Sequence, residues 1–247
     1  MKIIEIKTMQ GPNYWSVRRH NLTVMVLDLE EMEEYPTNKV DGFGERLEAM
    51  FPSMYSHRCS VGCEGGFFQR VKDGTWMGHV IEHIALEIQT LAGMDVGFGR
   101  TRTYGEEGVY FVVFNHMVGK VGQYAAKASF RIAEALIANK EYDLDEDIMN
   151  MKEIRQNEGL GPSTGSIIKE AEARGIPWIR LNKYSLCQIG YGANQKRIQA
   201  TVTSETSNIG VDLACDKEET KDLLEQAEVP IPKGDIIRTE RGLKEAV

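Results

Sequence analysis

The sequence lacks the features of a membrane, secreted or nucleic-acid-binding protein. No apolar run among its 247 residues is long enough to cross a bilayer, and residues 1–7 alternate like a strand without the apolar centre of a signal peptide. Asp and Glu outnumber Lys and Arg by 37 to 29, which gives a net charge of −8 and argues against a nucleic-acid-binding surface. We therefore expect a cytoplasmic protein with neither a membrane nor a nucleic acid as partner.

Cysteine is also scarce, because only Cys59, Cys63, Cys187 and Cys215 occur. Disulfides are rare in a reducing compartment, and a chain of this length can bury a core without them. Cys187 and Cys215 stand alone in apolar surroundings and are predicted to be core residues. Cys59 and Cys63 differ because histidines follow them along the chain.

The pattern that is present predicts a mixed α/β (α+β) fold, with a first domain over residues 1–145. Its clearest element is residues 76–91, which are apolar over more than one face and predict a buried helix that ends before Gly93. The remaining predicted elements of this domain are strands at residues 2–9, 22–29 and 108–114 and helices at residues 43–51 and 119–139.

Residues 146–160 belong to a polar, charged stretch and are predicted to be a linker to a second domain over residues 161–247. Gly161, Pro162, Ser163 and Thr164 are typical of a helix start, and Gly175 of its end. The other predicted elements are strands at residues 176–181 and 235–238 and a helix at residues 220–228. This alternation with short loops is typical of α/β architecture.

His79, Glu82 and His83 form a His-x-x-Glu-His pattern on the predicted buried helix. Residues four apart lie one turn apart on the same helix face, so two imidazoles at this spacing can hold one zinc ion. Glu82 lies beside them and could act as a general base, as in the inverted zinc-peptidase motif. With Cys59 and Cys63, the full pattern is Cys-x3-Cys-x15-His-x3-His, which also resembles a structural zinc site.

The spacing leaves three interpretations open. A closed site with four protein ligands would only stabilise the fold, whereas three ligands would leave one position for water and give Glu82 a role. Cys59, Glu87 and His116 are the candidates for the third ligand of such an open site, and Glu87 could instead support a ligand. Without metal, His79 and His83 would be core histidines with satisfied hydrogen bonds.

Basic residues beside aromatic ones are candidates for binding an anionic chain. Arg18 and Arg19 follow Tyr14 and Trp15, and such groups bind polar or anionic polymers. Alternatively, the two aromatic side chains close the end of the core. Arg100, in the glycine-rich stretch of residues 97–102, is a candidate for binding a carboxylate.

Several motifs, in order along the whole chain, resemble those of the cyanophycin synthetases. Motifs of the first half are Gly11-Pro12-Asn13-Tyr14-Trp15-Ser16, Gly78-His79-Val80-Ile81-Glu82-His83-Ile84-Ala85-Leu86-Glu87 and Val96-Gly97-Phe98-Gly99-Arg100-Thr101-Arg102. Motifs of the second half are Gly161-Pro162-Ser163-Thr164, Ile189-Gly190-Tyr191-Gly192 and Ala214-Cys215-Asp216-Lys217. The resemblance implies a family of ATP- and magnesium-dependent ligases that polymerise aspartate and arginine into multi-L-arginyl-poly-L-aspartate, or cyanophycin.

The resemblance also implies what each half of the chain does. Residues 1–145 would be the N-terminal domain, which holds the polymer, and residues 161–247 would be the first, incomplete part of an ATP-grasp domain. Ser163 would then lie near the terminal carboxylate of the polymer and Lys217 near ATP. The family further implies a homo-oligomer as the full-length enzyme. In some members, the N-terminal domain resembles a metallopeptidase that cuts the polymer into primers, so a zinc-dependent hydrolase with Glu82 as its base is the alternative function, and a purely structural zinc module is a second alternative.

Overall fold

An antiparallel four-stranded sheet organises the first of the two compact units of the chain, residues 1–159. The structure, a computed structural model, describes residues 1–17, 21–232, 234 and 237–239. The strands, in the spatial order β1-β2-β4-β3, are β1 (Lys2–Met9), β2 (Leu22–Asp28), β3 (Gly99–Thr103) and β4 (Val109–Asn115). The central strand β2 is buried along almost its whole length, as expected for a run of β-branched and aliphatic residues between two neighbouring strands.

Five helices accompany this sheet in the described part of residues 1–159. They are α1 (Phe43–Met50), α2 (Gly66–Asp73), α3 (Met77–Leu91), α4 (Gly119–Ile137) and α5 (Leu144–Glu158). Helix α3 is buried over most of its circumference and packs with α4 against one face of the sheet, where Met25, Leu27 and Phe114 meet the helices. Gly93, at a φ of 81°, follows the end of α3, which is the backbone geometry that a glycine after a helix supplies without strain.

The stretch predicted to be a linker, residues 146–160, is not an extended connection. Residues 144–158 form helix α5, which packs within the first unit. Asp143 caps the helix by accepting a hydrogen bond from the backbone N–H of Glu146. The buried carboxylate of Asp147 accepts hydrogen bonds from the hydroxyls of Tyr124 and Tyr142 and from the guanidinium of Arg131. The polar residues of this stretch therefore include the anchor of the helix, and the first unit extends to residue 159.

The second unit, residues 160–247, contains its own small sheet and core. Its antiparallel strands follow one another in space as β5 (Trp178–Arg180), β6 (Cys187–Ile189), β7 (Lys196–Gln199) and β8 (Val202–Thr203). Its helices are α6 (Pro162–Ala173), α7 (Asn208–Cys215) and α8 (Lys217–Gln226). Ile168, Cys187 and Ile198 form the core of this unit.

The predicted mixed α+β class is confirmed, with antiparallel pairing in both sheets. Cys187 is buried as predicted, but Cys215 is exposed, so its prediction as a core residue is wrong. The predicted strand at residues 235–238 falls largely outside the described residues. Within the described part of the chain, the helices are too short or too polar to span a membrane.

Candidate metal centre

Two side chains of helix α3 and one from a nearby loop form a cluster that could hold a metal ion. His79 and His83, one turn apart, meet Cys59, which lies in a 3-10 turn of the loop before α2. One ligand atom from each of the three residues lies within 4.8 Å of the other two, and Cys59 Sγ is 3.3 Å from His79 Nε2. Cys59 has a φ of 50°, in the left-handed region that residues other than glycine rarely occupy. The loop therefore accepts backbone strain at the residue that brings its sulfur to the histidines.

The tautomer of His83 is set by a series of hydrogen bonds that runs from Ser53 to Glu87, from Glu87 to His57 and from His57 to His83. Burial alone would raise the pKa of Glu87, but hydrogen bonds from His57 and Ser53 outweigh it and lower the pKa below the ordinary value, so the carboxyl is ionised and only accepts. Ser53 Oγ donates to Glu87 Oε1 at 2.5 Å, and His57 Nε2 donates to Glu87 Oε2 at 2.8 Å. With Nε2 of His57 as the donor to Glu87, Nδ1 of His57 can accept the Nδ1–H of His83, and the two nitrogens are 2.9 Å apart. His83 therefore keeps its Nε2 lone pair free.

His79 also directs its Nε2 towards the cluster, and a single hydrogen-bond partner on Nδ1 orients its ring. Its Nδ1 lies 3.0 Å from the hydroxyl of Thr75, which leaves Nε2 facing Cys59. Burial, with a smaller contribution from Arg70, lowers the pKa of His79 to about 4, and burial beside His79 and His57 places the pKa of His83 well below its ordinary value. Both imidazoles are thus neutral at pH 7, as metal binding requires. A thiol and two imidazoles form the donor set that zinc prefers, so the residues fit this ion.

Glu82 lies on the side of α3 that faces β3 and is not part of the ligand cluster. It precedes His83 by one residue, which places it about 100° around the helix. The hydroxyl of Thr101 on β3 donates to Glu82 Oε2 at 2.6 Å. A Cβ on Gly99 would come within 2.3 Å of Glu82 Oε1, so only glycine lets the carboxyl lie against the strand. Burial raises the pKa of Glu82 to about 7, against the opposing effects of Thr101 and Arg100.

The chain is similar to cyanophycin synthetases from several organisms. Residues 24–138 match the family described as the cyanophycin synthase-like N-terminal domain. Over 250 aligned residues and the whole of this chain, cyanophycin synthetases from Trichormus variabilis, Geminocystis herdmanii and a Synechocystis species are 49%, 50% and 46% identical. The chain spans 28% to 29% of the length of these relatives.

The family match covers the part of the chain from β2 to α4. The resemblance predicted from the motifs is thereby confirmed. The family domain includes Cys59, His79, Glu82 and His83, together with strands β2, β3 and β4.

The other predicted residues of the centre lie outside the cluster of Cys59, His79 and His83. Cys63 is exposed, beyond the left-handed turn at Gly62, and is not one of the three clustered residues. Glu87 lies behind His57 as its hydrogen-bond acceptor. His116 is buried and bonded through Nδ1 to Thr23 on β2 at 2.9 Å. Of the candidates for a third ligand, the structure brings Cys59 to the two histidines.

The predicted substrate- and ATP-binding residues lie in both units of the chain. Ser163 is exposed in the first turn of α6, where Gly161 takes the cap position, and Lys217 is the exposed first residue of α8. Arg100 is exposed on β3, with its guanidinium 5.7 Å from the centre of the Phe98 ring. Arg18 and Arg19 lie outside the described residues. Trp15 is buried against Phe111, whereas Tyr14 is 81% exposed, so only the tryptophan closes the core.

Sequence reasoning missed the side chains that orient the centre. Thr75 and Ser53 carry no distinctive motif, although Thr75 lies four residues before His79, a spacing that suggests contact. Phe67 stacks on the His83 ring with the ring centres 4.0 Å apart. Gly99 and Thr101 lie in a stretch that the sequence did not identify as a strand, and their contact with Glu82 depends on that strand.

Proposed function

We propose that this chain is part of a cyanophycin-synthesising ligase and that residues 1–159 bind the polymer. The observation that carries the proposal is the identity of 46% to 50% with cyanophycin synthetases over the whole chain. The exposed Arg100 and Arg102 on β3 support it, because the polymer carries the α-carboxylate of each attached arginine. Aspartate, arginine, ATP and magnesium are the substrates and cofactors of this proposed full-length enzyme, which we take to be a homo-oligomer.

Within this proposal, residues 160–247 begin the ATP-grasp part of the ligase. Ser163 lies in the first turn of α6, where backbone N–H groups favour an anion such as the terminal carboxylate of the polymer. Lys217 is assigned to ATP by its motif. These two assignments rest on the resemblance, and they predict that Ser163→Ala and Lys217→Ala in the full-length enzyme raise the KM for polymer and for ATP, respectively.

The polymer-binding proposal is tested by measuring the affinity of the 247-residue chain for soluble cyanophycin by calorimetry. Poly-L-aspartate, which has only the backbone of the polymer, and free arginine, which has only its side groups, serve as competitors. We expect saturable binding that cyanophycin competes for better than either of them. If the chain shows no affinity while a full-length relative binds the same sample, the polymer site lies elsewhere in the enzyme.

A second function, hydrolysis of the polymer, is favoured by the three clustered ligands and by the buried carboxyl of Glu82 on the same helix. Cys59, His79 and His83 would hold zinc, and three protein ligands are typical of an open, catalytic site. Zinc, when bound, supplies a Lewis acid and a water of lowered pKa. The carboxylate of Glu82 would take a proton from the attacking water and return it to the leaving amine, and a pKa of about 7 suits both transfers at neutral pH.

The hydrolysis proposal is tested by following polymer length during incubation with the zinc-loaded chain. Glu82→Gln should stop cleavage while leaving the zinc content unchanged, because Glu82 is not among the clustered ligands. Cys59→Ser should lower both. If Glu82→Gln cuts as fast as the unaltered chain, Glu82 is not the base, and a zinc content near zero in the unaltered chain would remove the metal centre itself.

A further inference from the structure

Strand β3 is an open edge of the first sheet, and its register decides which of its backbone groups are unpaired. The strand order ends on β3, so within the described residues β4 is its only strand neighbour. The N–H of Asn115 bonds to the carbonyl of Phe98 at 2.9 Å, and the N–H of Tyr104 bonds to the carbonyl of Val109 at 2.9 Å. In an antiparallel pair, hydrogen-bonded positions alternate, so Arg100 and Arg102 bond to β4 through their backbones.

The intervening residues Gly99, Thr101 and Thr103 therefore direct their N–H and C=O groups away from the sheet. Gly99 and Thr101 are also the residues that hold the carboxyl of Glu82. A chain that paired with this edge would therefore bond to the backbone of Gly99 and Thr101, the two residues that contact the carboxyl of Glu82.

The two edges of the sheet differ in how they are protected against pairing. Strand β1, at the opposite edge, has an irregular register between Ile3 and Glu5, and Lys7 is paired with Glu5 at 2.7 Å. Bulges of this kind discourage the addition of another strand. Strand β3 pairs regularly along its length, and the residues that the structure describes provide no salt bridge for Arg100 or Arg102. An edge left regular, with two exposed arginines, in a chain of net charge −8 is suited to a strand that presents carboxylates at the positions facing Arg100 and Arg102.

The spacing of the two arginines matches that of a polymer in extended conformation. Arg100 and Arg102 pair with Val113 and Phe111, so they lie on the sheet face opposite the helices. Side chains two residues apart on one face of a strand are about 6.6 Å apart. In cyanophycin every aspartyl residue carries an arginyl group with a free α-carboxylate. An added strand of this polymer would therefore present carboxylates on that face at the same interval.

We propose that cyanophycin binds to residues 1–159 by adding its aspartyl backbone as a further strand along the open edge of β3. Gly99, Thr101 and Thr103 supply the backbone hydrogen bonds, and Arg100 and Arg102 pair with the carboxylates of alternate arginyl groups. This inference rests on the proposed polymer binding and specifies how the polymer is held. The bond pattern favours an extended chain, while the arginines favour one with carboxylates at every second position.

The test compares two substitutions at Thr103, which differ in the outward N–H. Thr103→Pro removes this N–H, and proline is tolerated at edge strands because the bonded side of the strand does not need it. Thr103→Val keeps the N–H, and both variants lose the same hydroxyl. Affinity for a short soluble cyanophycin oligomer is measured by calorimetry on the full 247-residue chain, with a chelator present so that the oligomer stays intact.

We expect Thr103→Pro to bind about 5- to 10-fold more weakly than Thr103→Val, as the loss of one backbone hydrogen bond implies. Arg100→Gln and Arg102→Gln should each weaken binding and reduce its salt dependence. Amide hydrogen exchange on the unaltered chain should show new protection of Thr101 and Thr103 when the oligomer binds, with no change at the already bonded Arg100 and Arg102. Exchange makes the test independent of how well the proline variant folds.

Three results would overturn this proposal, and they are distinguishable from one another. Equal affinities of the proline and valine variants, with no protection at Thr101, would mean that the polymer binds elsewhere on a chain that still binds it. An absence of binding by the unaltered chain would overturn the polymer-binding function as well. If Thr103→Pro altered the sedimentation of the chain rather than its affinity, a second copy of the chain would be the partner of β3.

Discussion

The hydrogen-bonded chain from Ser53 through Glu87 and His57 to His83 predicts how tightly zinc is held. His57→Ala removes the acceptor that fixes the Nδ1–H tautomer of His83, so the Nε2 lone pair is no longer held towards the site. Loss of such a supporting residue weakens metal binding by about 10- to 100-fold, which corresponds to about 1.4 to 2.7 kcal/mol. Competition with a chromophoric zinc chelator at a fixed pH of about 7.5 measures this change directly.

The matched control for this prediction is His116→Ala. His116 is likewise bonded through Nδ1, but it is more deeply buried than His57, its partner is Thr23 and it is not in the metal cluster. Both variants should lose stability in the absence of metal, because each removes packed side-chain atoms and leaves a hydrogen-bond partner unpaired. Only His57→Ala should lose zinc affinity. If both variants bind zinc as tightly as the unaltered chain, His57 does not orient His83, and the reasoning from the tautomers fails.

Three further predictions follow from other contacts. Gly99→Ala should displace the carboxyl of Glu82 from β3 and slow polymer cleavage with little change in zinc content, as measured by polymer length and metal analysis. Burial raises the pKa of Glu82 to about 7, so this group favours the folded state fully below pH about 4.5 and loses that contribution, about 3 kcal/mol, as the pH rises through 7. Glu82→Gln in the metal-free chain should accordingly raise the melting temperature at pH 8 relative to the unaltered chain but not at pH 4.5, and an equal shift at both pH values would contradict the raised pKa. Asp147→Ala should destabilise the first unit by about 2 kcal/mol in denaturant unfolding, because it leaves the hydroxyls of Tyr124 and Tyr142 without their acceptor.

The elements that sequence patterns predicted well are those whose burial is decided locally. Helix α3 is apolar around most of its surface, and β2 and β4 are runs of apolar residues, so each is recognisable without knowledge of its neighbours. Strand β3 was missed because its residues, Gly-Arg-Thr-Arg-Thr, have no apolar alternation. It is a strand because its backbone pairs with β4, a contact that the sequence pattern does not show.

Helix α5 was taken for a linker for a related reason. Its composition is charged, and only Asp147 and Met151 are buried. The hydroxyls that pair with Asp147 come from α4 and from the segment before α5, so the anchoring of the helix depends on tertiary contacts. The sequence of a polar stretch between two domains does not show whether the folded protein provides hydrogen-bond partners for its side chains.

The metal centre was predictable to the extent that it depends on helix spacing. His79 and His83 meet because residues four apart share a helix face, and this part of the prediction needs no tertiary structure. The choice between Cys59 and Cys63 depends on a loop with left-handed backbone at Cys59 and Gly62, which no periodicity describes. The sequence left Glu87 either as a ligand or as a residue that orients one. Its bond to His57, which in turn bonds His83, favours the second role.

The surroundings of Glu82 favour the proposed catalytic centre over a structural zinc module. A structural zinc site needs only its ligands. If position 82 served stability alone, a buried apolar residue there would stabilise the fold more than a buried carboxyl does. The protein instead holds Glu82 at a cost of about 3 kcal/mol at pH 8, with a hydrogen bond from Thr101 and with glycine at position 99 to make room. Carboxyls kept at such a cost beside a metal-binding cluster are typical of general bases. If both proposals hold, α3 carries the metal ligands His79 and His83 on one side and Glu82, which contacts the polymer-binding strand β3, on another.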